Sequence, residues 1–183
     1  MSLLEQQNLL ARLYVDEDLR RAFLSDPAAA AAPFGLSDKE IEDISGILPG
    51  EIDSFAGSLI RKRAGEIGKI LPLARRIMGG AFENRFVDFT SEVSDRAENR
   101  FDEALDFCVF LSNKETESPV TRDAAKIEHS RLLFNSGRKN LVFRRLDHDF
   151  RVLPESAEIS DIPRRRTCYI WFRAGGLAVH RIF

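Results

Sequence analysis

The hydrophobic pattern changes period once along this chain, and that change limits its folds more than any other feature. As far as about Asn135, apolar residues recur three and four apart, as on one face of a helix. From Leu141 onward the apolar segments are "LVFRRLDHDFRVLP", "RTCYIWFR" and "LAVHRIF", rich in β-branched and aromatic residues. The residues "AGG" at 174–176 join the last two as a tight hairpin would. The expected class is therefore α+β: an N-terminal helical bundle of about seven helices, then a small C-terminal antiparallel sheet of about three strands. The expected regions are helical residues 1–90 and residues 91–183, holding further helices and the sheet.

Local signals place the helices. Leu3, Leu4, Asn8, Ala11 and Tyr14 share one helical stripe, with Leu10 beside it. Asp16 is positioned to cap a second helix, whose apolar face carries Leu19, Phe23 and Leu24. Pro27 suits a first helical position, and Pro33 with Gly35 ends the alanine run. "SDKE" at 37–40 is a capping box, opening a helix lined by Ile41, Ile44 and Ile47. A long helix is expected from about Glu51, its core stripe running from Phe55 to Met78. Pro72 lacks an amide and crowds the carbonyl four residues back, so it should kink or split that helix. Phe82, Phe86 and Phe89 repeat at helical spacing. Ser94 or Asp95 should open the next helix, with Phe101, Leu105, Cys108, Val109 and Leu111 inward. Thr121 should cap one that buries Ala124, Ile127, Leu132 and Phe134.

With 183 residues the chain can bury a core without disulfide or metal staples. Hydrophobic and charged contents of 44% and 31% fit a folded, soluble domain. The two cysteines, Cys108 and Cys168, are too far apart for a CxxC motif and sit among apolar residues, so both read as small core side chains. "MSLLEQQNLLARLY" is expected to be a helix rather than a signal peptide, and the expected location is the cytoplasm. No segment approaches a membrane span. The net charge of −2 gives no general attraction to nucleic acid, but the charge is uneven. Residues 1–60 carry eleven acids and four bases, whereas 61–76 carry six bases and one acid. Residues 77–136 are acidic again and 137–183 basic. The triple Arg61-Lys62-Arg63 spans about 200° of helix circumference, which cannot form one compact phosphate clamp.

Catalytic signatures are not found. His129, His148 and His180 show no HxH, HExxH or HxxxH spacing, and there is no GxSxG, P-loop or GxGxxG. Asp102, Glu103 and Asp106 read as a solvated helix face. Within a strand, Arg144 and Arg145 point to opposite faces, so one of them should be exposed or contact a partner. In "CYIWF" both alternating sets are apolar, so both sheet faces need cover. Helices can supply one cover; the other comes from the chain itself, a partner or a peptide. A small sheet also has edges, open to strand addition unless protected.

Beside this reading stands a resemblance. "LLARLYVDEDLRRAFLSDP", "FGLS" and "SFAGSLIRKRAGEIGKILPL" resemble the MbnC-like family, as do "RFDEALDFCVFL", "DAAKIEHSRLLF" and "YIWFRAGGLAVHRIF". These are small proteins that accompany MbnB-like multinuclear iron oxygenases, and the likeness covers most of the chain in order. The resemblance implies a non-catalytic subunit that pairs with an MbnB-like iron oxygenase and binds an MbnA-like precursor peptide. The oxygenase converts peptide cysteines to oxazolone–thioamide groups, as in methanobactin. The iron is expected in the partner, with no cofactor, nucleic acid or membrane expected here. Candidate peptide- and partner-binding residues are Arg144, Arg145, Tyr169, Trp171 and Arg173, with Arg61 and Arg63 on the long helix. The competing reading is a nucleic-acid-binding regulator, drawn from Arg61–Arg63, Arg75-Arg76 and Arg164–Arg166.

Overall fold

The computed structural model describes residues 3–46, 49–93, 97–152, 162–174 and 177–183. Among these, nine α-helices precede one three-stranded antiparallel sheet, the α+β order expected. The helices are α1 (Leu3–Val15), α2 (Glu17–Ser25), α3 (Pro27–Ala31), α4 (Asp38–Ser45), α5 (Pro49–Ile70), α6 (Pro72–Met78), α7 (Ala81–Glu92), α8 (Arg100–Asn113) and α9 (Pro119–Asn135). The strands are β1 (Leu141–Leu146), β2 (Thr167–Ala174) and β3 (Leu177–Ile182), with 3-10 turns at Ala32–Phe34 and Phe150–Val152. Two helices exceed the expected seven. Pro27 starts the short α3 behind its Asp26 cap, and Pro72 splits the long helix into α5 and α6 rather than kinking it. The chain forms two compact units, Met1–Lys62 and Arg63–Phe183. Among the described residues no helix is long and apolar enough to cross a membrane.

In the first unit the core gathers Leu9 and Leu13 of α1, Phe23, Ala31, Ile44 and Ile52. Asp16 caps α2, accepting from the Leu19 amide at 3.0 Å, and the Ser37–Glu40 capping box forms as read. The stripe expected on α1 is not the buried one: Leu3 and Leu4 are exposed, and Leu9 and Leu13 turn inward. That helix carries leucines on more than one side, and packing against α2 to α4 selects among them. Leu24 of α2 is likewise exposed. Ile47 lies outside the described residues.

In the second unit, Phe82, Phe86 and Phe89 of α7 surround the fully buried Phe107 of α8, with edge-on contacts from Phe82 and Phe86 at 5.4 and 5.2 Å between ring centres. Val109, expected inward, is exposed, and Phe107 takes the inward place. Ser94 and Asp95 lie outside the described residues. The cap of α8 is Asn99, whose Oδ1 accepts from the Phe101 and Asp102 amides at 3.0 Å each. Ser118 rather than Thr121 caps α9, with Pro119 in its first turn. Helix α9 buries Ala124, Ile127, Leu132 and Phe134 as read and packs on α8, α6 and the first two strands.

Candidate functional site

The register of the sheet fixes what each face offers. β1 and β2 pair Val142 with Trp171 and Arg144 with Tyr169, while β2 and β3 pair Trp171 with His180 and Tyr169 with Ile182. Side chains of paired residues share a face, so Val142, Arg144, Leu146, Tyr169, Trp171, Arg173, His180 and Ile182 lie together. This is the covered face. Ile127 and Phe134 of α9 pack on it, joined by Leu73 of α6 and by Phe150. Tyr169 is 3% and Trp171 5% exposed, and the imidazole of His180 stacks on the indole at 4.7 Å.

Among the described residues the opposite face is open. It presents Leu141, Phe143 and Arg145 from β1, Cys168, Ile170 and Phe172 from β2, and Leu177, Val179 and Arg181 from β3, then Phe183. Phe143 is 55% and Phe172 46% exposed, and Leu141, Leu177 and Phe183 are more exposed still. Cys168 sits half-buried on this face, so it is not the core thiol expected, whereas Cys108 is fully buried.

The candidate residues separate accordingly. Arg144 is half-buried and donates through Nε to Ser130 Oγ at 2.9 Å. Arg173 donates to the carbonyl of Phe134 at 3.1 Å and stacks on that ring. Both arginines thus tie the sheet to α9, and Tyr169 and Trp171 are core. Arg145 alone of the five strand candidates stands on the open face. On α5, Arg61 and Lys62 are exposed. Arg63 is drawn inward to Glu103, which also accepts from Arg100 at 2.8 Å; Arg100 in turn holds Glu66 at 2.7 Å. Glu103 is therefore a buried, doubly paired acid, which corrects its reading as part of a solvated face.

A groove of about 380 Å³ runs beside β3 on the covered side. Leu73, Ile127, Phe150 and Ile182 give it an apolar lining, His180 stands in it, and Arg76 and Arg151 flank it. Burial pushes the His180 imidazole below its ordinary pKa. Among the described residues β3 pairs only with β2. Cys168 and Phe183 exchange both backbone hydrogen bonds, at 3.1 and 3.0 Å. In an antiparallel ladder such pairs alternate, so the amides of Ala178, His180 and Ile182 face the free edge. The edge and the groove adjoin.

No family model, curated protein or solved structure matches this chain.

An extended segment laid along β3 would meet backbone donors and acceptors, and alternate side chains would fall into the groove. Among the described residues no group of three or more His, Cys, Asp and Glu converges as a metal site would require. Buried Asp123 of α9 ties down the turn after β1. Asp123 accepts from the Asp147 amide and pairs with His148 Nδ1, both at 2.9 Å. The groove escaped the sequence because its lining comes from Leu73, Ile127, Phe150 and Ile182, on four separate elements. Alternation in "CYIWF" did show two apolar faces, but not which one the helices cover.

Proposed function

We propose that this chain is the non-catalytic subunit of a cytoplasmic enzyme pair. It joins an MbnB-like multinuclear iron oxygenase and holds the leader of an MbnA-like precursor peptide, so that the peptide's cysteines reach the partner's iron for oxidation to oxazolone–thioamide groups. The family resemblance supplies the partner and the reaction. The observation that carries the reading is the free edge of β3 beside an apolar groove. Main-chain hydrogen bonds to Ala178, His180 and Ile182 would set the leader's register, and the groove would select its alternate side chains. Binding the leader at a fixed place converts the encounter of cysteine and iron into a local event, and that is the contribution a subunit without its own chemistry can make.

The test has two parts. Co-expression with an MbnB-like iron oxygenase should yield a stoichiometric complex; recovery of this chain alone, bound to DNA, would instead favour the regulator. A fluorescent leader peptide should bind the complex, and Ala178→Pro should weaken that binding by about tenfold or more. This proline removes an amide that points away from β2, so the β2–β3 ladder stays intact. Undiminished affinity in a folded Ala178→Pro complex would exclude addition at β3.

A further inference from the structure

The strand edge occupies one side of the sheet and leaves the open face unused. Among the described residues that face carries two cations, Arg145 and Arg181, and no acidic side chain. Its cross-strand rows are ordered. Arg145, Cys168 and Phe183 form the first and Phe143, Ile170 and Arg181 the second; Leu141, Phe172 and Val179 form the third. Positive charge is thus confined to one end, and the other end is wholly apolar. A sheet needs a layer on each apolar face, and α9 with α6 supplies only one.

We propose that the open face is a second docking surface, taking a protein surface that is apolar over most of its area and places carboxylates against Arg145 and Arg181. This rests on the reading of the chain as a subunit, and it assigns the face to the oxygenase and the β3 edge to the peptide. Charge decides the occupant. Among the described residues a second copy of this chain brings no acidic side chain on its own open face, so each buried arginine would meet a cation or hydrocarbon, a costly arrangement under any twofold axis. A lipid surface is a poorer match as well. Membrane contacts are made by protruding loops or amphipathic helices, whereas Ile170 and Val179 are recessed, half-buried parts of a pleated face.

Cys168 lies in the first row, at the charged end, and its thiol reports whether the face is covered. The experiment measures its modification by a bulky maleimide in the Cys108→Ser protein, alone and within the co-purified complex. In the complex the rate should fall by about tenfold or more, and Arg145→Glu with Arg181→Glu should weaken assembly by a similar factor. The leader peptide should still bind the isolated charge-reversed protein as it binds the isolated parent, because the edge amides are untouched. A complex that forms but labels at the free rate overturns this inference and leaves the subunit reading standing. Failure to form any complex overturns both. Protection that grows with the concentration of this chain alone identifies a second copy and overturns the assignment. Protection by vesicles of anionic phospholipid, without the partner, overturns it in favour of a membrane.

Discussion

Glu128 caps a helix from 55 residues away: its Oε1 accepts from the amide of Leu73 at 3.0 Å. Its Oε2 takes the neighbouring amide of Ala74 at 3.1 Å. Pro72 ends α5 and begins α6, and Leu71 offers no side-chain cap, so the first free amides of α6 would be buried without partners. Helix α9 supplies the missing acceptor. Arg131, three residues on, holds the carboxylate and also donates to the carbonyl of Ile70 at 2.6 Å, the last residue of α5. One Glu–Arg pair therefore closes both ends of the break. Glu128→Ala should lower the stability of the second unit by about 2–4 kcal/mol, because it leaves two amides without an acceptor and takes from Arg131 its carboxylate partner. Glu128→Gln, which keeps one carbonyl, should cost less. Urea unfolding followed by Trp171, the only tryptophan, measures both.

Adjacent arginines in β1 should behave oppositely. Arg144 is fastened to Ser130 on α9, while Arg145 is exposed on the open face. Arg144→Ala should destabilise the fold by about 1 kcal/mol, and Arg145→Ala should leave it within about 0.5 kcal/mol of the parent. Thermal unfolding of the two variants checks the contrast, and equal losses would contradict the assignment of faces.

The cysteines should separate by reactivity. Cys108 is fully buried, and burial pushes its thiol far above its ordinary pKa. Thiolate is the reacting form, so Cys108 should stay silent toward maleimide in the folded chain. Cys168, half-buried on the open face, should react. Intact-mass analysis should find one adduct in buffer and two in denaturant, and Cys168→Ser should abolish the first.

What the sequence revealed followed from local rules. The Ser37–Glu40 box, the Asp16 cap and the break at Pro72 depend on residues a few positions apart, and all three stand where their spacing puts them. The change of period near residue 140 showed the sheet for the same reason. What it hid depends on long-range pairing. Glu103 looked solvated because nothing local announces Arg63, forty residues earlier. Tyr169 and Trp171 looked available because alternation separates two faces without saying which one α9 will cover. The leucines of α1 were ambiguous in the same way, and only tertiary packing turned Leu9 and Leu13 inward.

The groove flank carries a pH-sensitive clasp. Arg151 grips Asp149 with Nε at 2.9 and 3.1 Å from the two carboxylate oxygens and a further nitrogen at 2.6 Å. Asp149 is almost wholly buried, and its amide donates to the carbonyl of Pro163 at 3.1 Å. The hydrogen bonds from Arg151 hold the Asp149 carboxyl below its ordinary pKa of 3.8, outweighing desolvation. A carboxyl depressed in the folded state binds its proton more readily when unfolded. Its stabilisation is therefore fully present above the ordinary value and fades as pH falls through the lower folded one. The stability gap between the parent and Asp149→Asn should be constant from about pH 7 to 5 and should close below about pH 4. Urea titrations followed by Trp171 fluorescence across that range would show it. A gap that stayed the same down to about pH 2 would mean that the Asp149–Arg151 pair contributes through shape rather than charge.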